Sequence, residues 1–242
     1  ESIMPDIPQV ILFDIDGTLL STGGAGIKAF YSAIQDNYPS QLEKCGGSLH
    51  LDMAGSTDSG LVIEIFEALG IEDAAIEREL FFAQYLQCLE NNLSDPSYTG
   101  SLMPGIAELL ERLSCEANKG KLILGLLTGN IASGAALKLK KYRVDKYFRF
   151  GAYGDDHHDR NELGPIALKR GGSYHGLELA RAPVTVIGDT PKDIHCARAM
   201  GAQAVAVSSG SISYQDLANY DPDLLFTDFT DYEDAYRRIC LG

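Results

Sequence analysis

Residues 10–20, which read V-I-L-F-D-I-D-G-T-L-L, end an apolar run with two carboxylates one residue apart. The run at 10–13 is rich in residues that favour β-structure, which predicts a strand buried on both faces. Burying one unpaired charge costs several kcal/mol, a large part of the roughly 5–15 kcal/mol by which a folded domain is stable. Asp14 and Asp16 therefore indicate a shared cation or a division of acid and base chemistry. The alternative is a plain Asp-Gly turn, which is common on protein surfaces.

The rest of the chain divides into a helical segment and an alternating segment. Residues 26–102 carry apolar residues at helical spacing and predict helices throughout, with Pro39 ending the first of them. From residue 103 onward helices alternate with strands, which are predicted at 121–127, 148–153, 184–187, 202–207 and 224–226. Such alternation predicts an α/β fold, a Rossmann-like parallel sheet with helices on both faces. The expected domains are a core of residues 1–21 and 103–242 and an inserted all-helical domain of residues 22–102.

Two groups of polar residues follow predicted strands, and ligands of parallel sheets bind at the carboxyl ends of the strands. Thr128, Gly129 and Asn130 come after the strand at 121–127 and open a helix. A hydroxyl, free N–H groups and the helix dipole could converge there on an anion. Taken alone, the pattern slightly favours an ordinary helix N-cap.

The second group is the run G-D-T-P-K-D at residues 188–193. Asp189 lies at the tip of a predicted strand, and Asp193 lies one turn into a helix that Pro191 is well placed to begin. Acids at this spacing can face one cation. The structural alternative is an acid-rich helix N-terminus, which the helix dipole stabilises by about a few tenths of a kcal/mol.

Together these motifs resemble those of the haloacid dehalogenase superfamily. Residues 10–20 resemble its first motif, which is D-x-D-G-T in the phosphatase branches, and residues 188–193 resemble its fourth motif, G-D-x-x-x-D. Thr128 resembles the hydroxyl residue of the second motif. A helical insert between the first and second motifs resembles the cap of the phosphoglycolate phosphatase and β-phosphoglucomutase branches. The resemblance covers nearly the whole chain.

The resemblance implies an Mg²⁺-dependent phosphatase that hydrolyses a small phosphomonoester, phosphoglycolate-like or a sugar phosphate, through an aspartyl-phosphate. Asp14 would attack phosphorus, and Asp16 would protonate the leaving oxygen and then activate water. Asp14, the backbone carbonyl of Asp16, and Asp189 would hold one Mg²⁺, with Asp193 close by. Residues 128–130 would bind the phosphate group.

The third motif departs from the family's pattern. Most relatives place a Lys, often followed by Pro, between the second and fourth motifs, and no Lys-Pro pair occurs here. Arg160 lies where relatives place that basic residue, and Lys169, nine residues later, is the alternative. An Arg could bridge the phosphate and the nucleophile in a bidentate way that Lys cannot. The bland interpretation is that both are solvated surface cations.

The same motifs also occur in proteins with other functions, and the sequence argues against some of these more strongly than against others. A dehalogenase or a phosphonate hydrolase of this superfamily has no need of the second acid, so Asp16 argues against both. A sugar-phosphate mutase uses the same residues as a phosphatase and is the main alternative. A non-catalytic binding protein on this fold is a distant one, because all four acids are present. Within the cap, the turn at 55–58 and Lys28 are candidates to face substrate, although Lys28 is more simply a solvated residue.

The composition limits the classes of molecule that this protein is expected to bind. The formal net charge of −14 would repel nucleic acids and anionic membranes, so neither is expected as a partner. A small phosphorylated metabolite would also be repelled, which is why such an enzyme needs local cations. The five cysteines are scattered without a C-x-x-C pair, and no apolar run spans 18 residues. We therefore expect a cytoplasmic protein; the oligomeric state is not predicted.

Overall fold

The computed structural model describes residues 7–242. Its strands are β1 (Gln9–Phe13), β2 (Leu20–Ser21), β3 (Ser101–Leu102), β4 (Leu122–Leu127), β5 (Gly151–Ala152), β6 (Val184–Gly188), β7 (Gln203–Val207) and β8 (Leu224–Phe226). Its α-helices are α1 (Ala25–Asn37), α2 (Pro39–Lys44), α3 (Asp58–Leu69), α4 (Ala75–Ser94), α5 (Ile106–Asn118), α6 (Ala132–Lys141), α7 (Leu163–His175), α8 (Pro191–Ala199), α9 (Tyr214–Ala218) and α10 (Tyr232–Cys240). Residues 1–6, which the sequence analysis assigns to the core domain, lie outside the described residues.

Six strands form one parallel sheet in the order β5-β4-β1-β6-β7-β8. The predicted parallel α/β fold is therefore confirmed. Strand β1 lies between β4 and β6, and Phe13 near its carboxyl end pairs with Leu126 on one side and Ile187 on the other. The chain segments that follow these three strands consequently emerge side by side at one edge of the sheet.

Helices cover both faces of the sheet. Successive residues of β1 point to opposite faces, so Ile11 and Phe13 pack with α5, α6 and α10, whereas Val10 and Leu12 pack with α7 and α8. Every residue from Val10 to Phe13 is completely buried. This two-sided burial explains why the strand is uniformly apolar rather than alternating.

The insertion between β1 and β4 packs around its own apolar cluster. Helices α1, α3 and α4 contribute Phe30, Phe66, Phe81 and Tyr85, all of them buried, and Ile131 joins them from the loop before α6. The chain enters through β2 and returns through β3, which pair antiparallel, so the two connections lie next to each other. We call the helical insertion the cap; its treatment as a separate domain with bounds at 22 and 102 stays a prediction.

Three local predictions differ from the structure. Residues 101–102 form a strand rather than helix, because they pair with β2. The strand predicted at 148–153 is reduced to Gly151–Ala152, since Phe148 and Phe150 instead anchor the preceding loop in the apolar clusters on opposite faces. Pro39 does not simply end a helix: α1 stops at Asn37 and Pro39 begins the short α2, a position in which proline is well tolerated.

All five cysteines are free, as expected for a chain without a disulfide framework. Within residues 7–242, none of the helices combines the length and the apolar character needed to cross a bilayer. The cytoplasmic location stays a prediction.

Candidate active site

The predicted site residues meet at the carboxyl edge of the sheet. Asp14 follows β1, Thr128 follows β4 and Asp189 follows β6, the three neighbouring central strands. Asp193 joins them from the first turn of α8, and Arg160 joins from a short 3₁₀ turn that precedes α7. All five are buried. The fold thus brings into one place residues that lie up to 179 positions apart in the sequence, as the motif order predicts.

Three carboxylates form the centre of this group. One oxygen from each of Asp14, Asp189 and Asp193 lies within 4.8 Å of the others. Burial, with the neighbouring carboxylates Asp193 and Asp16, raises the pKa of Asp14 to about 6, although the Arg160 guanidinium opposes the shift. Burial, with repulsion from the Asp14 and Asp193 carboxylates, raises the pKa of Asp189 well above its usual range. The three buried carboxylates carry more negative charge than the one guanidinium can balance. Their oxygen atoms are ligands of the kind that divalent cations such as Mg²⁺ prefer.

Arg160 is the cation that Asp14 and Asp193 share. Its Nη2 lies 3.3 Å from Asp14 Oδ1 and 2.5 Å from Asp193 Oδ1. The same guanidinium donates to the carbonyl oxygens of Gly55 in the cap (3.0 Å) and Leu127 in β4 (3.4 Å). Its buried Nε has no hydrogen-bond partner among residues 7–242, and a buried donor left unpaired costs about 1–3 kcal/mol.

Local backbone features hold the acids in place. Thr190 is the N-cap of α8 and forms a capping box, in which its N–H and hydroxyl both donate to Asp193 Oδ2, at 3.0 and 2.8 Å. Thr18 Oγ1 donates to Asp189 Oδ1 at 3.1 Å. Gly17 has φ 79°, and a Cβ atom there would collide with the Asp189 carboxylate. The glycine of the first motif is therefore required both for the turn and for the approach of Asp189.

Asp16 lies beside the buried acids but in a different environment. Its side chain is 46% exposed, and both of its oxygens accept hydrogen bonds from Lys138 Nζ, at 2.9 and 2.8 Å. Asn130 Nδ2 donates to Asp16 Oδ2 and to Thr128 Oγ1, both at 2.8 Å, while Asn130 Oδ1 accepts from Lys138 at 2.7 Å. The Asp16 side chain is not part of the acidic triad. The predicted metal ligand at this position is its backbone carbonyl, and that ligand stays a prediction.

The sequence analysis missed Lys138. It considered basic residues near the family's third motif and Lys28 in the cap, whereas Lys138 lies on α6 and is only 4% exposed. A signal was present, because Lys138 follows the buried Ile131 and Ala135 at helical spacing and therefore falls on the buried face of α6. A lysine on an apolar helix face requires a polar partner nearby. What the sequence does not indicate is that Asp16 is that partner.

The other basic candidates lie elsewhere. Lys169 is exposed on α7 and borders a separate surface cavity next to Gly172 and Glu178, so the structure does not bring it to the acids. The sequence does not show which face of α7 turns toward the site, so it could not exclude Lys169 as the alternative to Arg160. Lys28 is exposed on α1 and does not border the site cavity. The candidate turn at residues 55–58 does border it, through Gly55, Ser56 and Asp58.

That turn fastens the cap to the core. The N–H of Asp58 donates to the carbonyl of Gly129 (2.7 Å), and Asp58 Oδ2 accepts from the N–H of Ile131 (2.8 Å). Thr57 Oγ1 donates to the carbonyl of His158 at 2.6 Å. Burial raises the pKa of Asp58 to about 7, with Lys138 opposing the shift. A cavity of about 460 Å³ remains between the cap and the acids.

The comparisons with known proteins agree with this geometry. Residues 11–207 match the family model of haloacid dehalogenase-like hydrolases. The chain belongs to that family. It is an enzyme of the phosphatase branch, and the resemblance seen in the motifs is confirmed.

Two curated relatives of this haloacid dehalogenase-like hydrolase are named phosphoglycolate phosphatases. That of Pseudomonas syringae pv. syringae is 24% identical over 234 residues, which cover 92% of this chain and 77% of the relative. That of Photorhabdus laumondii subsp. laumondii is 25% identical over 245 residues, which cover 92% and 90%. The crystal structure of a hydrolase from Pseudomonas syringae has the same fold, with a TM-score of 0.68 at 21% identity over 96% of this chain and 99% of that one.

Proposed function

We propose that this enzyme hydrolyses a small phosphomonoester in two steps, with Asp14 as the residue that becomes phosphorylated. The observation that carries the proposal is the buried Asp14 carboxylate, which faces Arg160 and two further acids at the carboxyl edge of the sheet. The names of the curated relatives support a substrate of this class. A small phosphorylated metabolite is also the partner that we expect for an acidic chain with cations gathered at one site.

Asp14, Asp189 and Asp193, with the backbone carbonyl of Asp16, would hold one Mg²⁺, which would neutralise charge on the attacking carboxylate and on the phosphate. In the first step an oxygen of Asp14 attacks phosphorus and the bond from phosphorus to the alcohol oxygen breaks. In the second step water attacks the phosphorus and releases inorganic phosphate, which regenerates the free carboxylate.

Arg160 would bind the phosphate while keeping Asp14 in position. Its guanidinium already touches Asp14 Oδ1, and Arg160 borders the cavity in which the phosphate would lie. A planar guanidinium can bridge a carboxylate and a phosphate oxygen at the same time, which suits an in-line attack. Thr128, Gly129 and Asn130 would complete the phosphate site from the start of α6, where the helix dipole favours negative charge.

Asp16 would serve as acid and then as base. It would give a proton to the leaving alkoxide in the first step and take one from the attacking water in the second. Its partly exposed side chain borders the cavity under the cap, where the leaving group would lie. Lys138 and Asn130 fix the direction of this carboxylate through three hydrogen bonds, which hold it beside the cavity.

A panel of phosphate esters tests the proposal. Phosphate release would be measured with and without Mg²⁺ for the wild type and for Asp14→Asn, an isosteric variant that cannot act as the nucleophile. We expect release that depends on Mg²⁺ and is lost in Asp14→Asn. Release that persists unchanged in Asp14→Asn would contradict the proposal. Formation of a phosphoryl adduct without net release would instead favour the mutase.

A further inference from the structure

The cavity under the cap has two chemically different ends. At the core end lie Asp14, Asp189 and Arg160, and at the cap end lie apolar side chains of α1, α3 and the preceding loop, among them Ile27, Phe30, Met53 and Leu61. If the phosphate occupies the core end, as the proposed function requires, then the rest of the substrate must lie against the apolar wall. The side chains at the cap end therefore indicate the chemistry of the leaving group.

The positive charges that border this cavity are already paired. Among residues 7–242, the basic side chains that line it are Lys138 and Arg160. An ammonium has three donors, and Lys138 directs hydrogen bonds to both oxygens of Asp16 and to Asn130. Arg160 lies at the core end, in contact with Asp14 and Asp193. A second anionic group on the substrate would thus have to compete with Asp16 for Lys138.

The same end of the cavity carries negative charge and neutral hydroxyls. Asp16 and Asp58 both border it, and the Asp16 carboxylate would repel a carboxylate or a second phosphate on the leaving group, which would also be desolvated. Tyr85 also lines it, and burial together with these two acids raises the pKa of its hydroxyl well above its usual range. That hydroxyl, and those of Ser21 and Thr22, can pair with an alcohol but cannot balance an anion.

We propose that the leaving group is a small, uncharged alcohol with an apolar body, and not a carboxylate-bearing or phosphate-bearing alcohol such as glycolate. This inference rests on the proposed function and deepens it. Apolar surface on such an alcohol would be buried against the accessible side chains of Ile27 and Met53, which is favourable, and no charge would need a partner. The cavity of about 460 Å³ lies toward the lower part of the range for small-molecule sites, which favours a small ester.

A matched pair of esters tests the proposal directly. Phosphoglycolate and 2-hydroxyethyl phosphate have nearly the same size, but only the first carries a carboxylate. We expect kcat/KM for 2-hydroxyethyl phosphate and for propyl phosphate to exceed that for phosphoglycolate by about tenfold or more, the range over which one contact in a pocket discriminates. Equal values, or a preference for phosphoglycolate, would overturn the proposal.

A substitution at the apolar cap end of the cavity provides a second test of the proposal. Ile27 borders the cavity but is 52% exposed, so Ile27→Lys adds a cation without disturbing the core, and Ile27→Met is the neutral control. We expect Ile27→Lys to raise kcat/KM for phosphoglycolate relative to 2-hydroxyethyl phosphate by about fivefold, a modest gain because solvent screens an exposed charge. No selective gain, or the same gain in Ile27→Met, would overturn the assignment of this wall to the leaving group.

Failure of the inference can be told apart from failure of the proposed function. Hydrolysis of p-nitrophenyl phosphate that is lost in Asp14→Asn supports the phosphatase whatever the ratio of the two test esters. If the wild type releases phosphate from none of the esters in the presence of Mg²⁺, the proposed function fails first. If it prefers phosphoglycolate, only the inference fails.

Discussion

The two ends of the cavity are built on different principles. At the core end, Asp14, Thr128 and Asp189 follow three neighbouring strands, so the sheet itself fixes their separation. At the cap end, apolar side chains such as Phe30 and Leu61 come from helices that pack around a separate cluster. The difference suggests that the sheet edge determines the chemistry, whereas the inserted helices determine which alcohol is accepted.

The two cations show the same contrast. Arg160 is buried with Asp14 and Asp193 and also reaches the carbonyl of Gly55 in the cap. Lys138 pairs instead with the partly exposed Asp16. On this account Arg160 serves phosphate binding and the nucleophile, while Lys138 serves proton transfer to the leaving group. Substitutions of Arg160 and of Lys138 should therefore change the kinetics in different ways.

The largest effect is expected from the apolar cluster of the cap. Phe81 is fully buried and contacts Phe30, Tyr38 and Phe66, so Phe81→Ala should lower the free energy of unfolding by about 3–5 kcal/mol. If the cap is a separate unit, denaturant unfolding followed by tyrosine fluorescence and by circular dichroism should split into two transitions. Phe82→Ala, a partly exposed neighbour, is the control with a smaller loss. A single shifted transition would contradict the division between cap and core.

The next effect concerns the phosphate end. Arg160→Met should lower kcat/KM by about 10²–10³-fold, the range seen when a charge-stabilising donor is removed from an active site. Arg160→Lys should recover only part of the loss, because an ammonium cannot reach Asp14, Asp193 and the Gly55 carbonyl together. Lys169→Met, on the exposed face of α7, is the matched control without effect. A larger loss in Lys169→Met than in Arg160→Met would restore the alternative assignment.

The signature of Lys138 should depend on the leaving group. Lys138→Met frees the Asp16 carboxylate and should lower kcat by about 10–100-fold for an alkyl phosphate, whose alkoxide must be protonated. For p-nitrophenyl phosphate, whose leaving group needs little protonation, the loss should be clearly smaller. Lys140→Met on the exposed side of α6 is the control. Equal losses for both esters would point to a purely structural role.

The smallest effect is a pH dependence of stability at the contact between cap and core. The pKa of Asp58 is raised from 3.8 to about 7, so the native state binds a proton more tightly than the unfolded state. Its contribution to stability is present below about pH 4 and is lost as the pH rises through 7. Asp58→Asn keeps an acceptor for the Ile131 N–H but does not titrate.

The free energy of unfolding of Asp58→Asn relative to wild type should therefore rise between pH 5 and pH 8, on the order of 1 kcal/mol. Thermal unfolding at several pH values measures this difference. Glu67→Gln, at an exposed position on the same helix, is the control that should show no such trend. A difference that does not change with pH would contradict the buried, proton-binding state of Asp58.

The sequence predicts the core end well and the cap end poorly, for physical reasons. Asp14 and Asp189 follow strands that are apolar on both faces, so their place at the sheet edge follows from the pattern alone. Strands of two residues, such as β2 and β3, carry no periodicity to detect. Which helix faces meet over the site depends on packing between segments far apart in sequence.

Lys138 shows the same limit at the level of one residue. Its spacing to Ala135 and Ile131 places it on a buried helix face, but its contact with Asp16 spans 122 positions of sequence. Arg160 could be chosen from its place ahead of α7, whereas setting Lys169 aside required the orientation of that helix. Local patterns thus predict which residues are buried, and only the fold shows what they meet.

The central claim is that Asp14 carries the phosphoryl group, and a rapid quench of the Asp16→Asn variant tests it most directly. This variant keeps the nucleophile but lacks the base for the second step, and the leaving group of p-nitrophenyl phosphate needs little protonation in the first. A phosphorylated enzyme should therefore accumulate when the variant is mixed with that ester and Mg²⁺. We predict an acid-stable, base-labile phosphoryl group that peptide mapping locates on Asp14. Its absence in Asp16→Asn, or its presence at another residue while Asp14→Asn still releases phosphate, would contradict the account.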